Sequence, residues 1–179
     1  MKLKTKIQKL RFMIIWDGRD RAKYLKKKKI LADIGDNCIF QSRNFPMDPK
    51  LVKIHNNVVV AANVFFVTHD AIRHVLINKN NRFYQRNLGP IEVKDNVFIG
   101  LGTIIMPNVV IGKNVIIGAG SLVTKNIPDN CIYAGVPAKK IGDFRKLELE
   151  REKITEKYKD LTYEEIIAEK WKELEIKGD

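Results

Sequence analysis

Few residues in this chain are suited to moving a proton or attacking a carbonyl at neutral pH. There are three histidines, His55, His69 and His74, and two cysteines, Cys38 and Cys131. His69 follows the apolar run Val64–Val67 and Thr68, and it stands at the lip of a long polar stretch. A neutral imidazole, with an ordinary pKa of about 6.5, suits proton removal from a hydroxyl. Residue type alone does not assign that role, since an isolated histidine is more often a surface or satisfied core residue. Two cysteines make neither a disulfide framework nor a zinc ligand set. Two stretches offer hydrogen-bonding and charged groups to a ligand. One is the run Lys26–Lys29; the other is 70–92, with Arg73, His74, Asn78, Asn80, Asn81, Arg82, Tyr84, Gln85 and Arg86.

The elements that must hold these residues are legible from an internal repeat. Val93, Ile99, Ile105, Ile111, Ile117 and Val123 step by six without a break. Their partners four residues on are Val97, Thr103, Val109, Val115, Ser121 and Ile127, and Gly100, Gly112 and Gly118 follow three of the aliphatics directly. Upstream, Ile54, Val60 and Phe66 keep the same step, and Ile34–Cys38 reads as one more copy. A period of six is neither the strand's 2 nor the helix's ~3.6. It means a short strand and a tight turn, repeated, with Gly, Asn or Asp relaxing each turn. Three turns close a triangular coil, and coils stack as parallel strands about 4.8 Å apart. One coil cannot bury its aliphatics alone, so the coils must stack. Cys38 falls on an inward position, where a small apolar side chain packs, which makes it a poor nucleophile.

The phase breaks twice. Residues 45–53, with Pro46 and Pro49, interrupt it early, and the 27 residues from Phe66 to Val93 are not a multiple of six. A long polar loop thrown out of a rigid solenoid is where function tends to sit.

Either side of the repeats the pattern is helical. Leu3, Ile7, Leu10 and Ile14 recur at helical spacing, with Gly18 expected to close that helix and Asp20 to cap a second one over Arg21–Lys29. Residues 1–30 hold twelve Lys/Arg against Asp17 and Asp20, whereas 141–179 hold nine against twelve Asp/Glu. The basic arm suits nucleic acid, an anionic membrane face or an acidic substrate. No aromatics interleave with its lysines, so nucleic acid is not expected; a solvated helix face is the plainer reading, with peripheral contact to an anionic membrane as its alternative use. At the other end Thr162–Glu165 reads as a capping box, followed by Ile167, Trp171 and Leu174 on one face. The division expected is a basic helical segment 1–30, a repeat domain 31–142 with an insertion at 70–92, and a charged helical tail 143–179. The apolar run Phe12–Trp16 is too short for a signal-peptide core or a membrane span, and the expectation is a soluble cytoplasmic protein.

The repeat region resembles the hexapeptide-repeat acyltransferases, in particular the sugar, capsular-polysaccharide and xenobiotic O-acetyltransferase branch. The residues that carry the resemblance are Thr68-His69-Asp70, Val97–Gly100, Ile105–Val109, Ile117–Pro128 and Ala134–Lys139. It implies an all-β core, a left-handed parallel β-helix flanked by N-terminal helices and a C-terminal helical tail. It also implies a homotrimer that uses acetyl-CoA, without a metal or an acyl-enzyme.

What the resemblance implies for single residues is specific. His69 matches the general base, which contributes roughly 10²–10⁴-fold. Phe98, Leu101, Ala119 and Thr124 match donor positions, although Phe98 and Leu101 replace a commoner Trp and small residue. Lys125 and Lys139 match positions toward the coenzyme's phosphates. Asn81, Tyr84 and Arg86 in the insertion are candidates for the acceptor. A related zinc-binding branch shares the five-residue spacing of His69 and His74. His55, however, lies 14 residues before His69, which is not a whole coil, so no metal site is expected. The serine acetyltransferases pair their base with a carboxylate fifteen residues upstream, where this chain has Ile54. The expected activity is acetyl transfer to a sugar hydroxyl in surface-polysaccharide assembly; the alternatives are antibiotic O-acetylation and a non-catalytic β-helical scaffold.

Overall fold

A buried aliphatic at every sixth residue winds the chain into coils. The computed structural model describes residues 3–175 and divides into two compact units, Met1–Phe144 and Arg145–Asp179. The first unit opens with helices α1 (Leu3–Ile14) and α2 (Gly18–Lys27). Strands β1 (Asp33–Ile34) and β2 (Ile39–Phe40) begin the first coil, whose third side is irregular and ends in a 3₁₀ turn at Pro49–Leu51. The second coil is β3 (Val52–Ile54), β4 (Val58–Val60) and β5 (Phe65–Phe66). After α3 (Ile72–Asn80) the third coil is β6 (Ile91–Val93), β7 (Val97–Ile99) and β8 (Ile104–Ile105). The fourth is β9 (Val110–Ile111), β10 (Val115–Ile117) and β11 (Leu122–Val123). The last holds β12 (Cys131–Ala134), and the chain then folds back as β13 (Lys139–Asp143).

Parallel pairing stacks these strands into three sheets, β1-β3-β6-β9, β2-β4-β7-β10-β12 and β5-β8-β11, with β13 antiparallel on β12. Register advances one coil at a time: Val97 pairs with Val115, and Val115 with Cys131. This is the parallel prism that the period of six predicts. The six unbroken aliphatics are each at most 1% exposed, and their six partners at most 3%. Thr103 and Ser121, the polar members, satisfy their hydroxyls on the Gly118 carbonyl at 3.3 and 2.6 Å.

The corners are as regular as the core. Asn57, Asn96, Asn114 and Asn130 all take a left-handed backbone, with φ between 54° and 61°, which asparagine tolerates better than most side chains. Their amides form a ladder along the axis, each Nδ2 donating to the next Oδ1 at 2.8–2.9 Å.

The two ends of the prism are closed differently. Strand β13 covers one edge. At the other, Phe12 of α1 is fully buried and meets Phe40 and Phe45 edge to face at 5.7 and 5.4 Å. The helical stripe expected from the sequence is therefore not the buried one: Ile7, Leu10 and Ile14 are 45–69% exposed, and the Leu3 side chain lies outside the described residues. An aromatic ring fills the open end of a prism better than a row of aliphatics on its rim. Arg21, 3% exposed, donates to the carbonyls of Phe40 and Gln41 at 2.7 and 2.8 Å, capping the backbone edge of the first coil. Helix α2 also starts earlier than expected. Asp17 accepts the N–H groups of Arg19 and Asp20 at 2.8 and 3.1 Å, so Gly18 opens the second helix rather than closing the first.

The second unit is a pair of helices, α4 (Phe144–Tyr158) and α5 (Tyr163–Glu175). The capping box forms as its spacing predicts: Glu165 N–H donates to Thr162 Oγ1 at 3.3 Å, and Thr162 N–H to Glu165 Oε2 at 2.8 Å. Among the described residues of this unit Tyr158 is the buried one, 7% exposed, and its hydroxyl donates to Glu173 Oε1 at 2.5 Å.

Candidate active site

His69 sits at the corner that follows β5, where the chain leaves the prism. The neck of the insertion is pinned there: His69 and Leu88 form an isolated antiparallel bridge, and Gly89 N–H donates to Thr68 O at 2.8 Å. Gly89 has to be glycine. A Cβ at that position would lie 2.5 Å from Pro107 Cβ and 2.8 Å from Asn108 N on the next coil. The insertion itself is not a loop throughout. Asp70 accepts Ile72 N–H at 2.9 Å and α3 follows, ending at Asn81 in a left-handed conformation with φ 48°; residues 91 and 92 already belong to β6.

The early phase break delivers a second functional group to the same corner. Asp48, between Pro46 and Pro49 in the irregular third side of the first coil, brings its Oδ2 to 2.5 Å from His69 Nδ1. Thr68, fully buried, donates its hydroxyl to the same oxygen at 3.0 Å. Burial pushes the Asp48 carboxyl up. Hydrogen bonds from Thr68 and His69, with the charge of Arg86, together outweigh it and hold the group below the usual carboxylate range. An ionised Asp48 accepts a hydrogen bond from the Nδ1–H of His69, which leaves Nε2 with the lone pair. This is the arrangement a base needs: a fixed tautomer and a fixed ring.

Arg86 is the third member. Its Nη2 lies 2.7 Å from His69 Nε2, 3.0 Å from Nδ1 and 3.5 Å from Asp48 Oδ2. A nitrogen this close to both ring nitrogens lies over the face of the imidazole, not along the in-plane lone pair of Nε2. Asn81 and Tyr84 make their hydrogen bonds within the insertion: Asn81 N–H donates to Ile77 O at 2.8 Å. The Tyr84 hydroxyl is held by Asn80 Nδ2 at 2.5 Å and Arg82 Nε at 2.7 Å, so it organises the insertion itself.

The remaining histidines are elsewhere. His55 hydrogen-bonds Glu92 at 2.7 Å on an outer sheet face, and His74 is an exposed residue of α3. Among the described residues no group of three His, Cys, Asp or Glu stands close enough to hold a metal ion.

The residues matched to the donor lie on successive coils. Phe98, 39% exposed, faces outward from β7 and stacks in register with Ile116. Leu101 and Ala119 occupy the same corner one coil apart, joined by Gly120 N–H to Leu101 O at 2.7 Å. Thr124 and Lys125 follow β11, on the corner that carries His69 two coils earlier, as the pairing of Phe66 with Ile105 and Ile105 with Val123 shows. Lys139 is exposed at the start of β13, opposite Ala134.

Residues 90–125 match the family described as bacterial transferase hexapeptide (six repeats). Protein CapG of Staphylococcus aureus is 38% identical over 143 residues, covering 78% of this chain and 82% of that protein. Galactoside O-acetyltransferase of Escherichia coli K12 is 45% identical over 137 residues, covering 65% of this chain and 66% of that protein. The chain belongs to the hexapeptide-repeat acetyltransferases. Among solved structures, a galactoside acetyltransferase in complex with coenzyme A superimposes on this acetyltransferase with a TM-score of 0.59 at 28% identity, covering 79% of this chain and 80% of that one.

Proposed function

We propose that this acetyltransferase moves the acetyl group of acetyl-CoA onto a sugar hydroxyl, with His69 as general base. The observation that carries the reading is the His69–Asp48 pair at the neck of the insertion: an imidazole whose Nδ1 is tied to a carboxylate, at a polar lip. His69 Nε2 takes the hydroxyl proton as the oxygen attacks the thioester carbonyl and the C–O bond forms. Backbone N–H groups stabilise the tetrahedral oxyanion. The C–S bond then breaks, and the imidazolium returns its proton to the leaving thiolate, so the base is regenerated without an acyl-enzyme.

Phe98, Leu101, Ala119 and Thr124 line the donor's path along the coils, where turn amides meet the pantetheine arm as an added strand would. Lys125 and Lys139 reach toward its phosphates. Relatives named for galactoside acetylation support a sugar acceptor, and surface-polysaccharide assembly is the context the sequence resemblance implies. The left-handed winding and the homotrimer follow from the same membership. No described helix is long and apolar enough to cross a membrane. Cytoplasmic residence and a peripheral use of the basic arm on an anionic membrane are part of this proposal; Leu10 and Ile14 of α1, and Trp16 just after it, are 62–83% exposed.

The test is a coenzyme A release assay with a panel of sugars, paired with direct titration of acetyl-CoA. Wild type is expected to acetylate at least one sugar. His69→Ala is expected to bind acetyl-CoA as before and to lose roughly 10²–10⁴-fold in transfer, the contribution of a positioned base. Near-full transfer by His69→Ala would overturn the assignment of the base.

A further inference from the structure

We infer that the acceptor is a short glycan joined through phosphate to a membrane lipid, and that α1 seats the first coil on the bilayer so that His69 meets it there. This deepens, and rests on, the reading of His69 as the base for a sugar hydroxyl. The observation behind it is a helix with two apolar faces. Phe12 is fully buried against Phe40 and Phe45 and pins α1 across the end of the prism. On the opposite face Ile7, Leu10 and Ile14 form a second stripe, 45–69% exposed, and Trp16, just after the helix, extends it. Lys6, Lys9 and Arg11 are exposed on the same helix. Packing accounts for Phe12 but not for the stripe. Aliphatics with an indole at one end and cations at their borders suit a helix lying in a bilayer interface, its apolar face among acyl chains and its cations at anionic headgroups.

Two clefts lead from the stripe toward the catalytic corner. One, of about 560 Å³, lies between Ile7 and Arg11 of α1 and Tyr24 and Lys27–Lys29 at the end of α2. The other, of about 440 Å³, shares Gln8, Lys28 and Lys29 with the first and is walled on its far side by Phe45–Met47 and Pro49. Neither lining contains a carboxylate, and Arg11, Lys27, Lys28 and Lys29 make no ion pair among the described residues. A phosphate there gains charge-assisted contacts without breaking an existing pair. Met47 and Pro49 of the second cleft flank Asp48, whose carboxylate holds His69. The reach is short. A helix is about 10 Å across and stacked strands are about 4.8 Å apart, so His69, on the second coil, stands roughly 15 Å from the face that meets the bilayer. A short glycan on a lipid phosphate spans that distance, whereas a free sugar gains nothing from the bilayer.

Two measurements test this. The first reads the seat without any acceptor, by co-sedimentation with vesicles. Wild type is expected to bind mixed phosphatidylglycerol–phosphatidylcholine vesicles about tenfold or more above phosphatidylcholine alone. The double variant Leu10→Glu/Ile14→Glu changes two exposed sites and keeps every Lys and Arg; it is expected to lose most of that binding. A wild type that ignores anionic vesicles, or binding that survives the double substitution, overturns the seat. So does a lower oligomeric mass of the variant in light scattering, which would make the stripe a contact between copies of the chain. The second measurement uses galactose- and glucose-terminated disaccharides on polyprenyl diphosphate, presented in the mixed vesicles, in the coenzyme A release assay. The comparison is the same disaccharide diphosphate with methyl in place of the polyprenol. The lipid-borne form is expected to exceed the methyl form by about tenfold or more in kcat/KM, because the membrane raises its effective concentration. Leu10→Glu/Ile14→Glu is expected to erase that preference and to leave transfer to the methyl form unchanged. Equal use of the two forms, or a preference that survives in the double variant, overturns this inference and leaves the sugar acetyltransferase intact. Transfer to neither form by an enzyme that binds acetyl-CoA removes that reading and this inference together.

Discussion

Asp48 and His69 are joined across two coils, Oδ2 to Nδ1 at 2.5 Å, by the two places where the repeat loses its phase. Neither residue lies in a regular strand, and neither would reach the other in an unbroken prism. The early break turns Asp48 up from the first coil; the late break begins one residue after His69. Thr68, buried at the end of the same strand run, fixes the carboxylate from below at 3.0 Å.

That pairing makes Asp48 a positioning residue. In Asp48→Asn the amide either accepts from Nδ1 or donates to it, so the tautomer is no longer fixed. Transfer should fall by at least about tenfold, and by less than the roughly 10⁴-fold seen when a fully buried triad carboxylate becomes an amide, since Asp48 is partly open to solvent. The loss should appear in kcat, with KM for acetyl-CoA unchanged, because the donor positions lie on other coils. A rise in that KM with kcat preserved would count against the role.

Much of this was legible from sequence, and the part that was not has a physical reason. Period six gives the prism because the strand and turn repeat is local, and the inward columns follow from it residue by residue. The sequence assigns His69 no partner: fifteen residues upstream, where the serine acetyltransferases carry a carboxylate, Ile54 points into the core. The carboxylate sits 21 residues upstream instead, one coil plus a short displacement, in a segment where the repeat gives no register. The usable signal was an acid flanked by Pro46, Met47 and Pro49 in a break one coil before the other break. Helix α3 was missed for a different reason: none of its residues is buried, so no apolar stripe marks it. Phe12 was missed because α1 buries one aromatic ring at the end of the prism rather than a periodic face.

Lys139 stands exposed on β13, away from His69's corner. A charge reversal there, Lys139→Glu, is expected to weaken coenzyme A by about fivefold, the scale of an exposed ion pair, and dephospho-coenzyme A by less. The lost attraction is to phosphate, and it should shrink further at high salt. Titration calorimetry with both ligands at two salt concentrations checks this. Equal losses for both would indicate damage to the hairpin instead.

Assembly is predicted by what a single chain leaves uncovered. Phe65 and Ile104 pair on one sheet and point outward, 48 and 38% exposed, and Phe98 on the neighbouring sheet is 39% exposed. A cyclic trimer buries such faces against its neighbours. Multi-angle light scattering should return three times the 20.6 kDa of the chain. A mass of one chain at working concentration rules the trimer out.

Glu92 gives a pH test that is independent of catalysis. On the outer face of β6 its carboxylate takes Lys94 Nζ at 2.8 Å and His55 Nε2 at 2.7 Å, with Lys53 Nζ at 3.5 Å. The hydrogen bond from Lys94, then that from His55, lowers its pKa from an ordinary 4.5 to about 2, against a smaller opposing effect of burial. A carboxyl depressed on folding stabilises the native state wherever it is ionised in both states, that is, above about pH 4.5. The contribution fades as pH falls toward 2, because the unfolded chain then binds the proton first. Glu92→Gln, similar in shape and uncharged, should therefore melt below wild type at pH 7. With the side chain about a quarter exposed, the difference is discounted for screening to about 1 kcal/mol, or roughly 2–4 °C for a chain of this size. The gap should narrow steadily between pH 5 and 2, following the titration of the group. Melting curves by circular dichroism across that range decide it. A gap that keeps its size down to the lowest pH would mean the glutamate acts through packing, and the ionic account of this face would be wrong.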